Sequence, residues 1–297
     1  MDFMLEIPAP GKGGGSNVPS VRWLTPATGY LAGYTHSLNP FVGCRYGCAY
    51  CYVRRLPVAL FGKAPWGEWA EPKTGDPDTV RRELARAKQK GPVAVFMSTA
   101  TDPYQPLESK ARVTRRLLEA MAAEPPDFLL VQTRSPLVVR DVDILRAFGE
   151  RVLVSVTVET DREDMRRSFT PAAPPLAARL DALRRLREAG VATQAAVSPL
   201  LPHTPRFAER LAAVVPRLVV DDYFRGDGSC GVRSRQLGMP QRYEALGVAE
   251  WYDPAALERF VAEARRWFPA GAVGVSAAGF APPPAFRSAE GAGGGCR

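Results

Sequence analysis

Histidine and cysteine are both scarce in this 297-residue chain, which holds two of the former and five of the latter. Five unevenly placed cysteines do not make a disulfide framework. A closed structural zinc site needs four ligands, and any histidine among them has to be His36 or His203. His36, near a strand start, reads first as a hydrogen-bonded core histidine, and His203, between prolines, carries no functional reading. No run of about 18 apolar residues occurs, so no membrane-spanning helix is predicted. The opening MDFMLEIPAPGKGGGS lacks the basic-then-apolar order of a secretory signal. The expectation is a cytoplasmic protein with no membrane partner.

Lysine and arginine outnumber aspartate and glutamate 39 to 31, a formal net charge of +8. That balance favours anionic partners such as nucleic acid without establishing one. The arginines of VRRELARAK and LDALRRLREAG read equally well as solvated helix faces.

The hydrophobic content of 46% suits a globular core. Residues 1–20 and 281–297 are rich in glycine, proline and small side chains and are expected to be flexible. Between them lies a predicted core, 21–280, whose rhythm breaks into an irregular insertion near 221–251. Apolar runs at Ser37–Val42, Val93–Ser98, Phe128–Thr133, Val152–Val158, Thr193–Val197 and Leu218–Val220 read as strands covered on both faces. Helical periodicity marks Pro77–Lys90, Lys110–Ala123, Val142–Gly149, Leu176–Ala189, Pro205–Ala213 and Pro254–Trp267. Six strand–helix units in alternation predict a parallel α/β fold.

Cys44, Cys48 and Cys51 fall within eight residues, on a loop after the first predicted strand. Gly43 and Gly47 let the backbone turn tightly there, and thiolates are the soft ligands of iron–sulfur clusters. Three thiolates with no close fourth ligand suit a cubane with one open iron better than a closed tetrahedral zinc.

Cys-x3-Cys-x2-Cys with an aromatic before the last cysteine resembles the signature of the radical S-adenosylmethionine superfamily. Further segments resemble its branch of spore photoproduct lyase and DNA repair photolyase-like proteins: Tyr34-Thr-His36-Ser-Leu-Asn39-Pro40, Ser98 to Glu108, Gln132-Thr133-Arg134-Ser135, Val154-Ser155-Val-Thr157, and the leucine-rich stretch from Arg179 to Gly190. Together they cover about Tyr34 to Pro202. The resemblance implies a partial (β/α)6, TIM-like barrel. It also implies a [4Fe–4S] cluster on Cys44, Cys48 and Cys51, with S-adenosylmethionine on the fourth iron. One-electron reduction would break a sulfonium bond and yield a 5′-deoxyadenosyl radical. An electron donor of flavodoxin or ferredoxin type is the implied partner, and repair or modification of nucleic acid the implied lyase-like activity. A peptide or small-metabolite substrate, or a metal-binding protein without turnover, are the alternatives.

Thr101, Asp102, Arg134, Ser155 and Thr157 sit at or near the C-terminal ends of predicted strands, where such barrels assemble their sites. A methionine carboxylate wants a cation such as Arg134, its ammonium an acceptor such as Asp102 or Thr101, and ribose hydroxyls short polar side chains. By resemblance Tyr50 lies beside the adenine; a packing role suits it equally. Asp102 also reads as a turn-former and Arg134 as half of an ion pair. Tyr104, Gln105 and Glu108 are substrate-side candidates. Spore photoproduct lyase, by the same resemblance, has a cysteine hydrogen donor on the strand whose counterpart here ends Met97–Asp102. No cysteine occurs there, which argues against spore photoproduct repair unless Cys230 reaches the site from another loop. Cys230 reads first as an incidental thiol in a glycine-rich loop. Cys230 and Tyr104 are the catalytic candidates. Thr170-Pro171 stands where relatives often show Glu-Pro.

Overall fold

The computed structural model describes residues 21–31 and 33–286. The expected flexible stretch 1–20, most of the stretch 281–297 and Cys296 lie outside the described residues.

Among the described residues ten strands form: β1 (Leu24–Pro26), β2 (His36–Leu38), β3 (Phe41–Gly43), β4 (Ala70–Pro72), β5 (Ala94–Met97), β6 (Phe128–Thr133), β7 (Val152–Thr157), β8 (Thr193–Val197), β9 (Leu218–Val220) and β10 (Val273–Val275). Eight make one sheet in the order β1-β2-β5-β6-β7-β8-β9-β10, while β3 and β4 form a separate antiparallel pair. Every pairing in the large sheet from β2 to β10 is parallel, and only β1 joins antiparallel. This is the parallel α/β architecture that the alternation of strands and helices predicts.

The predicted strand Ser37–Val42 is two strands. Pro40 has no N–H to give a ladder, and at Asn39 the chain leaves the sheet to pair instead as β3 with β4. The predicted helix Lys110–Ala123 likewise splits. Arg112 takes a left-handed conformation between Glu108–Ala111 and Val113–Ala123. There the buried Glu108 carboxylate accepts from the amides of Thr114 (3.0 Å) and Arg115 (3.2 Å), the opening donors of the second helix.

One face of the sheet packs on the helices through residues such as Val95, Met97, Leu129, Val131, Val154 and Val156. The alternate residues point into the curve of the sheet. At its base that interior is filled by Tyr34, Phe96, Phe128, Leu130 and Phe280. Further along β6 and β7 the same inward positions turn polar, at Gln132, Ser155 and Thr157, and Gln194 near the start of β8 is polar as well. Gln132 Nε2 donates to Thr157 Oγ1 at 2.7 Å, and Gln194 Nε2 to Ser155 Oγ at 3.0 Å.

The sheet keeps β1 and β10 as edges among the described residues. Side chains span the gap between them: the Tyr30 hydroxyl donates to Asp221, just beyond β9, and Tyr34 donates to the carbonyl of Phe280 at 2.7 Å. The segment 221–251 holds two short helices, Val232–Gln236 and Met239–Ala245. It packs through Tyr223, Met239, Tyr243 and Val248 against Met165 and Phe169.

Candidate functional site

The cysteine loop leaves β3 at Gly43. Gly43 and Gly47 adopt φ of 77° and 57°. A Cβ on Gly43 would stand 2.7 Å from Trp69, and one on Gly47 3.0 Å from the Cα of Gly67, so the loop closes against the β4 arm only with glycine at both places. Gln105 holds the loop from the other side, accepting from the Arg45 amide at 2.9 Å and donating to the Gly43 carbonyl at 3.3 Å. Arg54 gathers the carbonyls of Cys48 (2.9 Å) and Gly47 (2.6 Å).

Cys44, Cys48 and Cys51 are all free thiols on this loop, the first two buried. Burial pushes the Cys44 thiol up to about 12 and the Cys48 thiol to about 11, and raises Cys51 as well. The loop therefore holds neutral thiols until a cation compensates their charge. Among the described residues no three His, Cys, Asp or Glu side chains gather to hold a single metal ion. A closed one-zinc site thus finds no support in the geometry. Three thiolates serving separate irons fit the donor set.

Beside the loop, Asn39 organises the end of β5. Its amide oxygen accepts from Ala100 N at 3.0 Å, and its Nδ2 donates to Thr99 Oγ1 at 3.1 Å. The Asp102 carboxylate is engaged internally, accepting from Tyr104 N (2.9 Å), Thr133 Oγ1 (2.7 Å) and Arg134 N (2.8 Å). It ties the end of β5 to the end of β6, the turn-forming part of its sequence reading.

Arg134 leaves β6 towards Tyr50. Its Nη1 donates to the Tyr50 hydroxyl at 2.9 Å and to Glu159 Oε1 at 2.8 Å, and both side-chain bonds leave from that one nitrogen. Tyr50 also donates to Glu159 Oε1, and Arg179 Nη1 meets Glu159 Oε2 at 2.7 Å. Burial alone would raise Glu159, but Arg179 and Arg134 outweigh it and hold the carboxyl below the ordinary carboxylate range. Ser155, Thr157 and Glu159 share one phase of β7 and its extension, so all three face the same interior.

Several buried polar atoms around these strand ends have no protein partner: Ser98 Oγ, Thr101 Oγ1 and Gln132 Oε1. Unpaired groups of this kind are stabilised when a polar ligand meets them. Ser98 and Gln132 stand at inward-facing positions at the ends of β5 and β6, and Thr101 follows β5 beside Asp102.

Tyr104, Gln105 and Glu108 are each fully buried; Gln105 braces the cysteine loop and Glu108 a helix start. Cys230 is exposed, with φ of 54°, in a loop gathered by Asp227, whose carboxylate accepts from Ser229 N at 2.7 Å and Ser234 N at 3.0 Å. The helix after it reaches the cysteine segment where Arg55 donates to Gln236 at 3.1 Å. His36 bonds Thr35 at 2.9 Å at the start of β2, and His203 packs among Phe207, Trp251 and Phe260. Thr170, fully buried, bonds the carbonyl of Arg166 at 3.1 Å. Glu159, Gln132, Gln194 and Asn39 carry no role in the sequence reading; their signal is a polar residue in phase with the inward face of an apolar strand, or just past its end.

The model of the Radical SAM superfamily matches residues 38–210, more than half of the chain. The chain belongs to the radical SAM superfamily. Radical SAM enzymes use a [4Fe–4S] cluster and S-adenosylmethionine, and the match spans the cysteine loop and all the strand ends described above. Relatives are uncharacterised proteins: one from Methanocaldococcus jannaschii is 29% identical over 172 residues, and one from Acidianus two-tailed virus 33% over 174. The matches cover 58% and 56% of this chain and 62% and 56% of those relatives, so the chain spans under two thirds of their lengths. Among solved structures, spore photoproduct lyase with bound AdoMet and dinucleoside spore photoproduct superposes with a TM-score of 0.58 at 17% identity. That match covers 82% of this chain and 76% of the other, and it shows a shared fold. No helix among the described residues is long and apolar enough to cross a membrane.

Proposed function

We propose that this radical SAM enzyme holds its cluster on Cys44, Cys48 and Cys51, binds S-adenosylmethionine at the ends of β5 to β8, and acts on nucleic acid as a repair or modification enzyme. The observation that carries the reading is the juxtaposition of three free thiols with unpaired Ser98, Thr101 and Gln132 oxygens at one end of a parallel sheet. When bound, the cluster supplies one electron to break a carbon–sulfur bond of S-adenosylmethionine.

The chain's own residues have distinct parts in this reading. Arg134, fixed by Glu159 and by Asp102 at its amide, offers its remaining guanidinium N–H groups to the methionine carboxylate. Thr101 and Gln132 offer acceptors to the ammonium or to ribose hydroxyls, and Ser155 and Thr157 extend that polar wall along β7. Asp102 acts by positioning Arg134. Tyr50, at the mouth, covers the adenine side while its hydroxyl stays in the Arg134–Glu159 network. The barrel interior, apolar at its aromatic base, shields a carbon radical from water.

Nucleic acid as substrate is supported by the net charge of +8 and by a shared fold with an enzyme solved with a dinucleoside lesion. The absence of cysteine from Met97–Asp102 separates this chain's hydrogen-donor arrangement from that implied for spore photoproduct repair.

The experiment is anaerobic reconstitution of wild type and a Cys44/Cys48/Cys51→Ala triple variant, with iron and sulfide analysis and chromatography of 5′-deoxyadenosine after dithionite reduction. Wild type is expected to bind about four irons per chain and release 5′-deoxyadenosine, and the variant to do neither. Iron-loaded wild type that leaves S-adenosylmethionine intact would overturn the reading. Binding to single-stranded DNA and RNA that weakens steeply with salt supports the substrate class, and salt-insensitive or absent binding removes it.

A further inference from the structure

The segment after the cysteines folds back over their loop with an unusual charge arrangement. Arg54 is met by the carbonyls of Cys48 and Gly47, Arg45 by the carbonyl of Glu68 at 2.7 Å, and Arg55 by the side-chain oxygen of Gln236. Each guanidinium is thus held by neutral oxygens, and its charge stays available to a partner.

Amid these cations stands an exposed apolar knob. Leu60 and Phe61, at the end of the short helix Pro57–Leu60, are 54% and 86% exposed, and Val58 is exposed beside them. The knob is fixed to the cysteine loop: Gly62 lies against the Trp69 ring, and Trp69 lies against Gly43. Burying such side chains favours association, and an apolar centre within a charged rim is the anatomy of a protein–protein contact.

We propose that this knob and its arginine rim are the docking face for an acidic one-electron carrier protein, a proposal that rests on the cysteines holding a reducible cluster. Cleavage of the cofactor takes one electron per event. The carrier leaves oxidised by one electron, and one carbon–sulfur bond of the sulfonium breaks to methionine and a carbon-centred radical, with no proton taken up. Cys44 and Cys48 are buried, so a carrier has to seat closely against their loop. Arg45, Arg54 and Arg55 attract an acidic surface to that place. A nucleic-acid backbone would satisfy the arginines but leave Leu60 and Phe61 without apolar contact.

The test uses the full chain, with and without reconstituted cluster, and oxidised flavodoxin as the binding probe at about 50 and about 200 mM salt. Wild type is expected to bind more weakly at the higher salt. Phe61→Asp and Arg55→Glu are each expected to raise Kd roughly tenfold, as loss of an interface anchor or reversal of a rim charge does. The KM for reduced flavodoxin should rise in parallel, while dithionite-driven 5′-deoxyadenosine formation stays within about twofold of wild type. Both side chains are exposed, so circular dichroism should be unchanged. If both variants bind flavodoxin as wild type does, the face is wrongly assigned. If they lose single-stranded oligonucleotide binding and keep flavodoxin binding, it serves nucleic acid and the proposal is overturned. Failure of dithionite-driven chemistry in wild type would instead strike the radical reading, and the binding constants of the cluster-free chain would still decide the docking face.

Discussion

Arg134 and Glu159 meet through Nη1 and Oε1 at 2.8 Å, joining the C-terminal ends of the neighbouring strands β6 and β7. The second carboxylate oxygen is taken by Arg179, whose side chain is wholly buried. One buried anion therefore sets the direction of the cation that the proposed site aims at its cofactor.

Glu159→Gln leaves two largely buried guanidiniums without their anion. A stability loss of about 3 kcal/mol is expected from urea unfolding at pH 7, together with weaker binding of S-adenosylmethionine. The folded carboxyl lies below its unfolded value of 4.5, so its contribution is complete above that value and lost only as pH falls through the lower folded one. The gap between wild type and variant should hold from pH 7 to about 5 and narrow in stronger acid. A gap that does not change with pH would mean that the charge on Glu159 is irrelevant.

Asp102→Asn retains the shape of the carboxylate but has one acceptor oxygen for three donors. The Arg134 amide, bonded at 2.8 Å, or the Tyr104 and Thr133 groups must then go unmet. A loss of about 2 kcal/mol is expected, with a raised KM for S-adenosylmethionine because the base of Arg134 is no longer fixed. Unchanged KM with lowered stability would confine Asp102 to holding the turn.

The β5–β9 run was readable because strands buried on both faces appear as continuous apolar runs that no surface helix imitates. The strands β1, β4 and β10 escaped, since they are short, are largely not buried as β9 is, and form only where a neighbour offers a ladder. That Cys44, Cys48 and Cys51 share one loop was legible from their spacing. Glu159 was not: its partner Arg179 lies 20 residues on, and only packing brings the two together. That Tyr104, Gln105 and Glu108 are fully buried was not legible either, because polar side chains in a turn read as exposed.

Gly47→Ala and Gly43→Ala test whether the close approach of the β4 arm shapes the cluster loop. Each replacement strains a positive φ, and the added methyl meets Gly67 or Trp69. A stability loss of about 1–3 kcal/mol is expected, with reduced iron per chain on reconstitution. Gly43→Ala should be the worse, because its 2.7 Å contacts include a backbone oxygen and a packed indole. Full iron loading in both variants would show that the loop tolerates another path.

Asp221 gives a pH signature opposite in sign to that of Glu159. Its carboxyl is buried just beyond β9, accepts from Tyr30, and faces Ser276 and Asp222. Burial raises it from 3.8 to about 6. Between those values the folded chain binds more protons at this position than the unfolded chain, so its contribution falls as pH rises from about 4 to about 6, by on the order of 1 kcal/mol per pH unit. Asp221→Asn keeps an oxygen for the Tyr30 hydroxyl and carries no charge. Thermal unfolding of the two proteins should therefore diverge across this window, with the variant gaining on wild type as pH rises and the difference levelling above it. Parallel curves would show that the carboxyl reaches water and that the Tyr30 contact across the open side of the sheet does not enclose it.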